Sequence, residues 1–178
     1  MARSPTIAVF SGIGGAHASR AQVFAQAGSF LAKKGARLMA VEGVAGLPLT
    51  TLSAARSASA EIEIVVSDVF QVPKALSEAS VIRSANLEDR MRIMRERADA
   101  IAVLPGALAL ANDLYRATLM EPGVPPVILL NHDNAFEVLR GFVVDVFTHN
   151  HPNPDRVMQV ADSLEDMWNR IQRLKLVD

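Results

Sequence analysis

The stretch Thr6-Ile7-Ala8-Val9-Phe10-Ser11-Gly12-Ile13-Gly14-Gly15 decides how the rest of the chain is read. Five uncharged residues, four of them of high β propensity, closed by a glycine-rich turn, mark a strand buried on both faces. A helical pattern follows at once: Val23, Phe24, Ala27, Phe30 and Leu31 recur at helical spacing from Ser19 to Lys34, and Gly35 supplies the stop. Strand, glycine turn and helix in that order form the first half of a β-α-β unit, whose two strands are parallel because a crossover separates them.

Working outward, the same alternation continues. Strands are expected at Arg37–Val41, Ile62–Val66, Ala100–Leu104, Val127–Leu130 and Val157–Val160, with a short one at Ser80–Arg83. Helices are expected from Leu49 to Ser59 behind Pro48, from Asn86 to Arg97, from Ala109 to Met120, from Ala135 to Phe147 and from Ser163 onward. Asn86 with Asp89, and Ser163 with Asp166, have the spacing of N-terminal caps. Asp68 to Ser77 is weakly patterned and holds Pro73, which fits a loop or a short helix. The sum is an α/β fold: a doubly wound, mostly parallel sheet of six or seven strands with helices on both faces, in one domain spanning residues 1–178. Such sheets bind ligands beyond the carboxyl ends of their strands.

Composition narrows the function. Of 178 residues half are apolar and 5% aromatic, so the core is aliphatic. Eighteen basic and nineteen acidic residues leave a net charge of −1, which gives no field for nucleic acid or an acidic membrane. The absence of cysteine excludes a disulfide framework, thiolate-bound zinc and a thiol nucleophile. No apolar run reaches signal-peptide or membrane-spanning length, and the expected location is the cytoplasm. His149, His151 and Asp155 lie together, but Pro152 and Pro154 interrupt them and no further ligand has metal-site spacing, so no metal is expected. His17 after the first turn reads as exposed, and Ser11 has no histidine–acid pair at triad spacing.

Glycines before a helix let backbone N–H groups approach an anion. Ser11 and Gly12, with Gly14 and Gly15, make one such turn, although the spacing is not a dinucleotide fingerprint and a plain tight turn reads equally well. Glu42 is the only acidic candidate at the end of the second strand. The arginines at 83, 90, 92, 95 and 97, interspersed with Glu88, Asp89 and Glu96, read on pattern alone as an ion-paired helix face. Leu87, Met91 and Met94 form a core stripe at helical spacing.

From Asn86 to Asp113 the chain resembles the LOG ("lonely guy") family of cytokinin-activating nucleoside 5′-monophosphate phosphoribohydrolases, often labelled lysine decarboxylases in error. The family pattern is M-x-x-R-K-x-x-M, an Asp-Ala strand, then P-G-G-x-G-T-x-x-E. Arg90, Met94, Asp99, Ala100, Leu104, Pro105 and Gly106 stand in that register. Phe10-Ser11-Gly12 is similar to the family's first turn, Gly43 and Gly46-Leu47 to its second, and Pro126–Leu130 to its K-P-V strand. The departures are concentrated: Ala107 and Ala109 replace glycines, Leu110 replaces threonine, Asp113 replaces glutamate, and Met91 replaces lysine.

The resemblance implies a Rossmann-like domain that hydrolyses the N-glycosidic bond of a nucleotide such as AMP, as a homodimer and without cofactor or metal. Arg90 and Asp113 would be catalytic. Ser11, Gly12, Gly43, Gly46, Pro105, Gly106, Ala107, Leu108, Ala109 and Leu110 would hold the nucleotide and its phosphate. Alanine reaches positive φ at a cost of roughly 1–2 kcal/mol, and leucine cannot donate the hydrogen bond of threonine, so the altered loop weakens phosphate binding. Asp113 keeps the charge that an oxocarbenium-like transition state requires, one methylene short. Three readings therefore stay open: an impaired hydrolase, a nucleotide-binding or structural relative without hydrolase activity, and other chemistry on the same scaffold.

Overall fold

A computed structural model describes residues 4–12, 18–106, 113–114, 124–142, 144–145, 149, 153 and 156–175. Its strands are β1 (Thr6–Phe10), β2 (Arg37–Val41), β3 (Ile62–Val66), β4 (Ser80–Arg83), β5 (Ala100–Val103), β6 (Val127–Leu130) and β7 (Met158–Ala161). They form one sheet in the order β4-β3-β2-β1-β5-β6-β7, and every neighbouring pair is parallel. The helices are α1 (Ala18–Lys33), α2 (Leu49–Ser57), α3 (Leu87–Arg97), α4 (Glu137–Phe142) and α5 (Leu164–Lys175). Lys74–Leu76 and His132–Asn134 are single 3-10 turns.

Burial on both faces explains why these strands read as continuous apolar runs. In β1, Ile7 and Val9 enter one core with Val23, Phe24, Ala27 and Leu31 of α1, Leu52 and Ala55 of α2, and Met167, Trp168 and Ile171 of α5. Ala8 and Phe10 point the other way and join Met91 and Met94 of α3, with Phe136 and Leu139 packed nearby. The alternation repeats along β2, β3, β5 and β6, as the period of two demands. Met91 and Met94 are thus fully buried within their own chain, and offer no surface to a second subunit.

Local signals act as their chemistry predicts. Gly35, at φ +80°, ends α1 in a left-handed conformation, with the Gly35 and Ala36 amides bonded to the carbonyls of Ala32 and Leu31. The Asn86 side chain caps α3 by accepting from the Asp89 amide at 2.8 Å. Asp166 donates its amide to Ser163 Oγ at 3.1 Å, while its carboxylate reaches back to the amide of Asp162 rather than of Ser163. Of the helix expected over 135–147, α4 covers 137–142 and residues 144–145 are also helical; it begins two residues late, after a 3-10 turn in which Asp133 takes positive φ, as does Asn134. The expected helix 109–120 lies outside the described residues apart from Asp113 and Leu114, which are helical.

From β1 the chain builds the sheet outward through β2, β3 and β4, then returns to place β5 on the other side of β1. The winding direction reverses between β1 and β5. A crevice opens beyond the carboxyl ends at such a reversal.

Candidate functional site

The loops that leave β1 and β5 start side by side. Leu104 donates its amide to the Phe10 carbonyl at 2.8 Å, and Gly12 donates to the carbonyl of Pro105 at 3.3 Å. Ser11 is buried and its hydroxyl turns onto the Gly12 carbonyl, 3.1 Å away. Ser11, Gly12, Pro105 and Gly106 therefore meet at the reversal. Ala107, Leu108, Ala109 and Leu110 lie outside the described residues, as do Gly14, Gly15 and His17.

The third wall comes from the loop after β2. Gly43 and Gly46 bridge across a four-residue turn, closed by the Gly46 amide on the Gly43 carbonyl at 3.1 Å. Gly46 sits at φ +75°, where a side chain is strained. Such a turn leaves the amides of its two central residues free to converge, which makes a small anion-binding concavity. Asp113 occupies it: Val44 donates to Oδ1 at 2.8 Å and Ala45 donates to Oδ2 at 2.7 Å. The aspartate is 1% exposed. Gly43 is glycine for lack of space, since a Cβ there would stand 2.5 Å from Asp113 Oδ2.

Arg90 approaches the same loop from α3. Its Nε donates to the Glu42 carbonyl at 3.2 Å, and Nη1 donates to the carbonyls of Ser84 at 2.8 Å and Ala85 at 3.3 Å. It is 8% exposed, and among the described residues neither it nor Asp113 forms an ion pair. The Glu42 carboxylate accepts the Ser67 amide at 2.6 Å, and Arg83 donates to the carbonyls of Ser67, Asp68 and Phe70. Side chains thus tie four loops of the carboxyl edge into one network. The sequence pattern did not reveal the part played by Glu42 and Arg83, because their partners are backbone groups that leave no residue-type signature.

Other candidates separate from this site. Asp99 lies at the opposite edge, where its carboxylate accepts the Thr6 amide at 2.7 Å and anchors the start of β1. The Nδ1 atom of His149 lies 2.9 Å from the Asp145 carbonyl oxygen, and His151 and Asp155 are outside the described residues. A groove of about 650 Å³ also opens at the amino edge of the strands. Its arginines are already neutralised: Arg37 pairs with Glu61 at 2.8 Å, Arg56 with Glu78 at 2.7 Å and Arg97 with Glu63 at 2.5 Å. Chemistry favours the opposite, carboxyl edge.

Seven parallel strands with helices on both faces and a winding reversal between β1 and β5 define a Rossmann-like α/β domain. Solved structures agree. The chain is similar to the molybdenum cofactor carrier protein of Chlamydomonas reinhardtii, at 16% identity and a TM-score of 0.72 over 98% of this chain and 99% of that one. It is also similar to the molybdenum cofactor binding protein of Rippkaea orientalis, at 18% identity and 0.69 over 97% and 98%. DNA processing protein A of Helicobacter pylori, with a described single-stranded DNA binding mode, shares the fold at 14% identity and 0.63 over 95% and 80%. No family model and no curated protein matches the sequence. At these identities the likeness establishes the fold, and one fold serves several functions.

Proposed function

We propose that this protein binds a phosphorylated heterocyclic small molecule, such as a nucleoside monophosphate, in the crevice between the β1 and β5 loops, and releases it uncleaved. One observation carries this reading: both oxygens of Asp113 accept backbone amides of the Gly43–Gly46 turn. A carboxylate that stabilises a glycosyl cation must be presented to the substrate, and a displacement of about 1 Å can cost ~100-fold in rate. Engaged on the turn, Asp113 serves geometry instead. The Arg90 guanidinium, bonded to three carbonyls, is likewise directed at the loops. Gly12 and Gly106, at the adjoining ends of β1 and β5, support an anion subsite there. Two neighbours of the same fold are described as a molybdenum cofactor carrier and a molybdenum cofactor binding protein, which favours carriage over chemistry.

The second reading is the phosphoribohydrolase. Its support is that an arginine and a carboxylate stand in LOG register and meet at one turn. Calorimetric titration with AMP, alongside chromatographic detection of adenine, separates the two. Saturable binding without adenine release is expected; repeated turnover overturns the binding reading. The variant Ala107→Gly/Ala109→Gly/Asp113→Glu, which restores the family's glycines and glutamate, should release adenine if only loop geometry and carboxylate reach were lost. The molybdenum cofactor is the second probe.

The assembly is proposed to be a homodimer in the cytoplasm, a compartment suited to a cysteine-free chain. With Met91 and Met94 internal, the contact must use another surface. A light-scattering mass of one chain at micromolar concentration would defeat the dimer.

A further inference from the structure

We infer that Asp113 is a positioning residue: its carboxylate latches the Gly43–Gly46 turn to the segment that follows β5 and so holds two walls of the crevice at a set spacing before any ligand arrives. The turn has few other ties at its tip. Gly46 bonds back to Gly43 only within the turn, and Val44 is 58% exposed. The amides of Val44 and Ala45 converge on Asp113 and on no other described group. The two residues stand 69 and 68 positions away from Asp113 in sequence, so this bond closes a long loop of chain. A carboxylate between two amides makes charge-assisted hydrogen bonds, stronger than neutral ones, and burial strengthens them further.

The space matches the role. Gly43 has no Cβ because the carboxylate fills that position. The turn and the acid are therefore complementary in shape as well as charge. The turn follows β2 and the acid lies in the segment that follows β5, on the two sides of β1. Releasing the latch would let the β2 loop move independently of the β5 loop, and a ligand spanning them would have to order the turn on binding. The ligand part of this inference rests on the proposed binding function; the latch itself does not.

The test is amide exchange of Val44 and Ala45, read by NMR on the free protein, in wild type and Asp113→Ala. Exchange at both amides should quicken by roughly tenfold or more in the variant. Sodium formate, a free carboxylate that fits the truncated site, should slow it again, and sodium chloride at equal ionic strength should not. Unchanged exchange in Asp113→Ala overturns the latch, as does recovery with chloride. Should Asp113→Ala fail to fold, Asp113→Asn keeps one acceptor oxygen and should leave one of the two amides protected; both protected as in wild type overturns the latch. AMP affinity is then measured on the same samples. A severalfold loss in the variant, restored by formate, supports positioning, whereas equal affinity with quickened exchange overturns it. Wild type that binds neither AMP nor the molybdenum cofactor overturns the binding function and the positioning role together, and the exchange result alone then decides the latch.

Discussion

Arg90 and Asp113 meet through the backbone of one loop instead of through each other. The guanidinium donates to the Glu42 carbonyl at 3.2 Å, and the carboxylate accepts from the amides of Val44 and Ala45, two and three residues on. Each charge thus satisfies backbone groups of a half-buried loop. Two residues that sequence register presents as a catalytic couple both bond to the backbone of this one loop.

Arg90→Lys should be far from conservative. An ammonium cannot reproduce the planar fork that reaches Glu42 along one direction and Ser84 and Ala85 along another. A loss of about 1–3 kcal/mol in urea denaturation is expected from carbonyls left unpaired, together with weaker AMP binding. Stability equal to wild type would show that the loops do not depend on the fork.

Gly43→Ala places a methyl group 2.5 Å from the Asp113 carboxylate and should displace it. Overpacking of this kind costs about 1–3 kcal/mol. Because the clash is with Asp113 itself, Gly43→Ala combined with Asp113→Ala should cost less than the sum of the two single changes. Additive losses in the double-mutant cycle would mean the methyl meets something else.

Thr51 offers a gain. Its hydroxyl is buried and has no hydrogen-bond partner among the described residues. Removing an unsatisfied buried hydroxyl while keeping the branched shape should leave stability unchanged or raise it by about 1 kcal/mol for Thr51→Val. A clear drop in thermal midpoint would reveal a partner for that oxygen.

Asp162 gives a pH dependence. The hydrogen bond from Arg140 holds its carboxyl below the ordinary value of 3.8, with the neighbouring charges of Arg140 and Arg170 adding to the effect. A depressed folded value means stability that is present above the unfolded pKa and lost as pH falls through the folded one. Wild type should therefore exceed Arg140→Ala at neutral pH, and the gap should close in acid below the ordinary aspartate range. Asp162 is exposed and Arg140 half-buried, so the gap should also shrink with salt. A difference independent of pH would assign the effect of Arg140 to packing.

Much of the fold could be read from residue order because strands buried on both faces advertise themselves. Ile7–Phe10, Ile101–Val103 and Val127–Leu130 are unbroken apolar runs, and Gly35, Asn86 and Ser163 punctuate the helices by local chemistry that needs no distant partner. The stripe of Leu87, Met91 and Met94 likewise declared its burial through spacing alone. The order of the strands could not be read this way, since placing β5 beside β1 depends on contacts some 90 residues apart. The same limit governs the site. Sequence register made Arg90 and Asp113 visible as residues and marked Gly43 and Gly46 as a turn, but only tertiary structure decided what they touch. Hydrogen bonds to main-chain amides and carbonyls carry no residue-type code, so the fastening of Asp113 onto Val44 and Ala45 emerges only when β2 and the segment after β5 are brought to the same edge of the sheet.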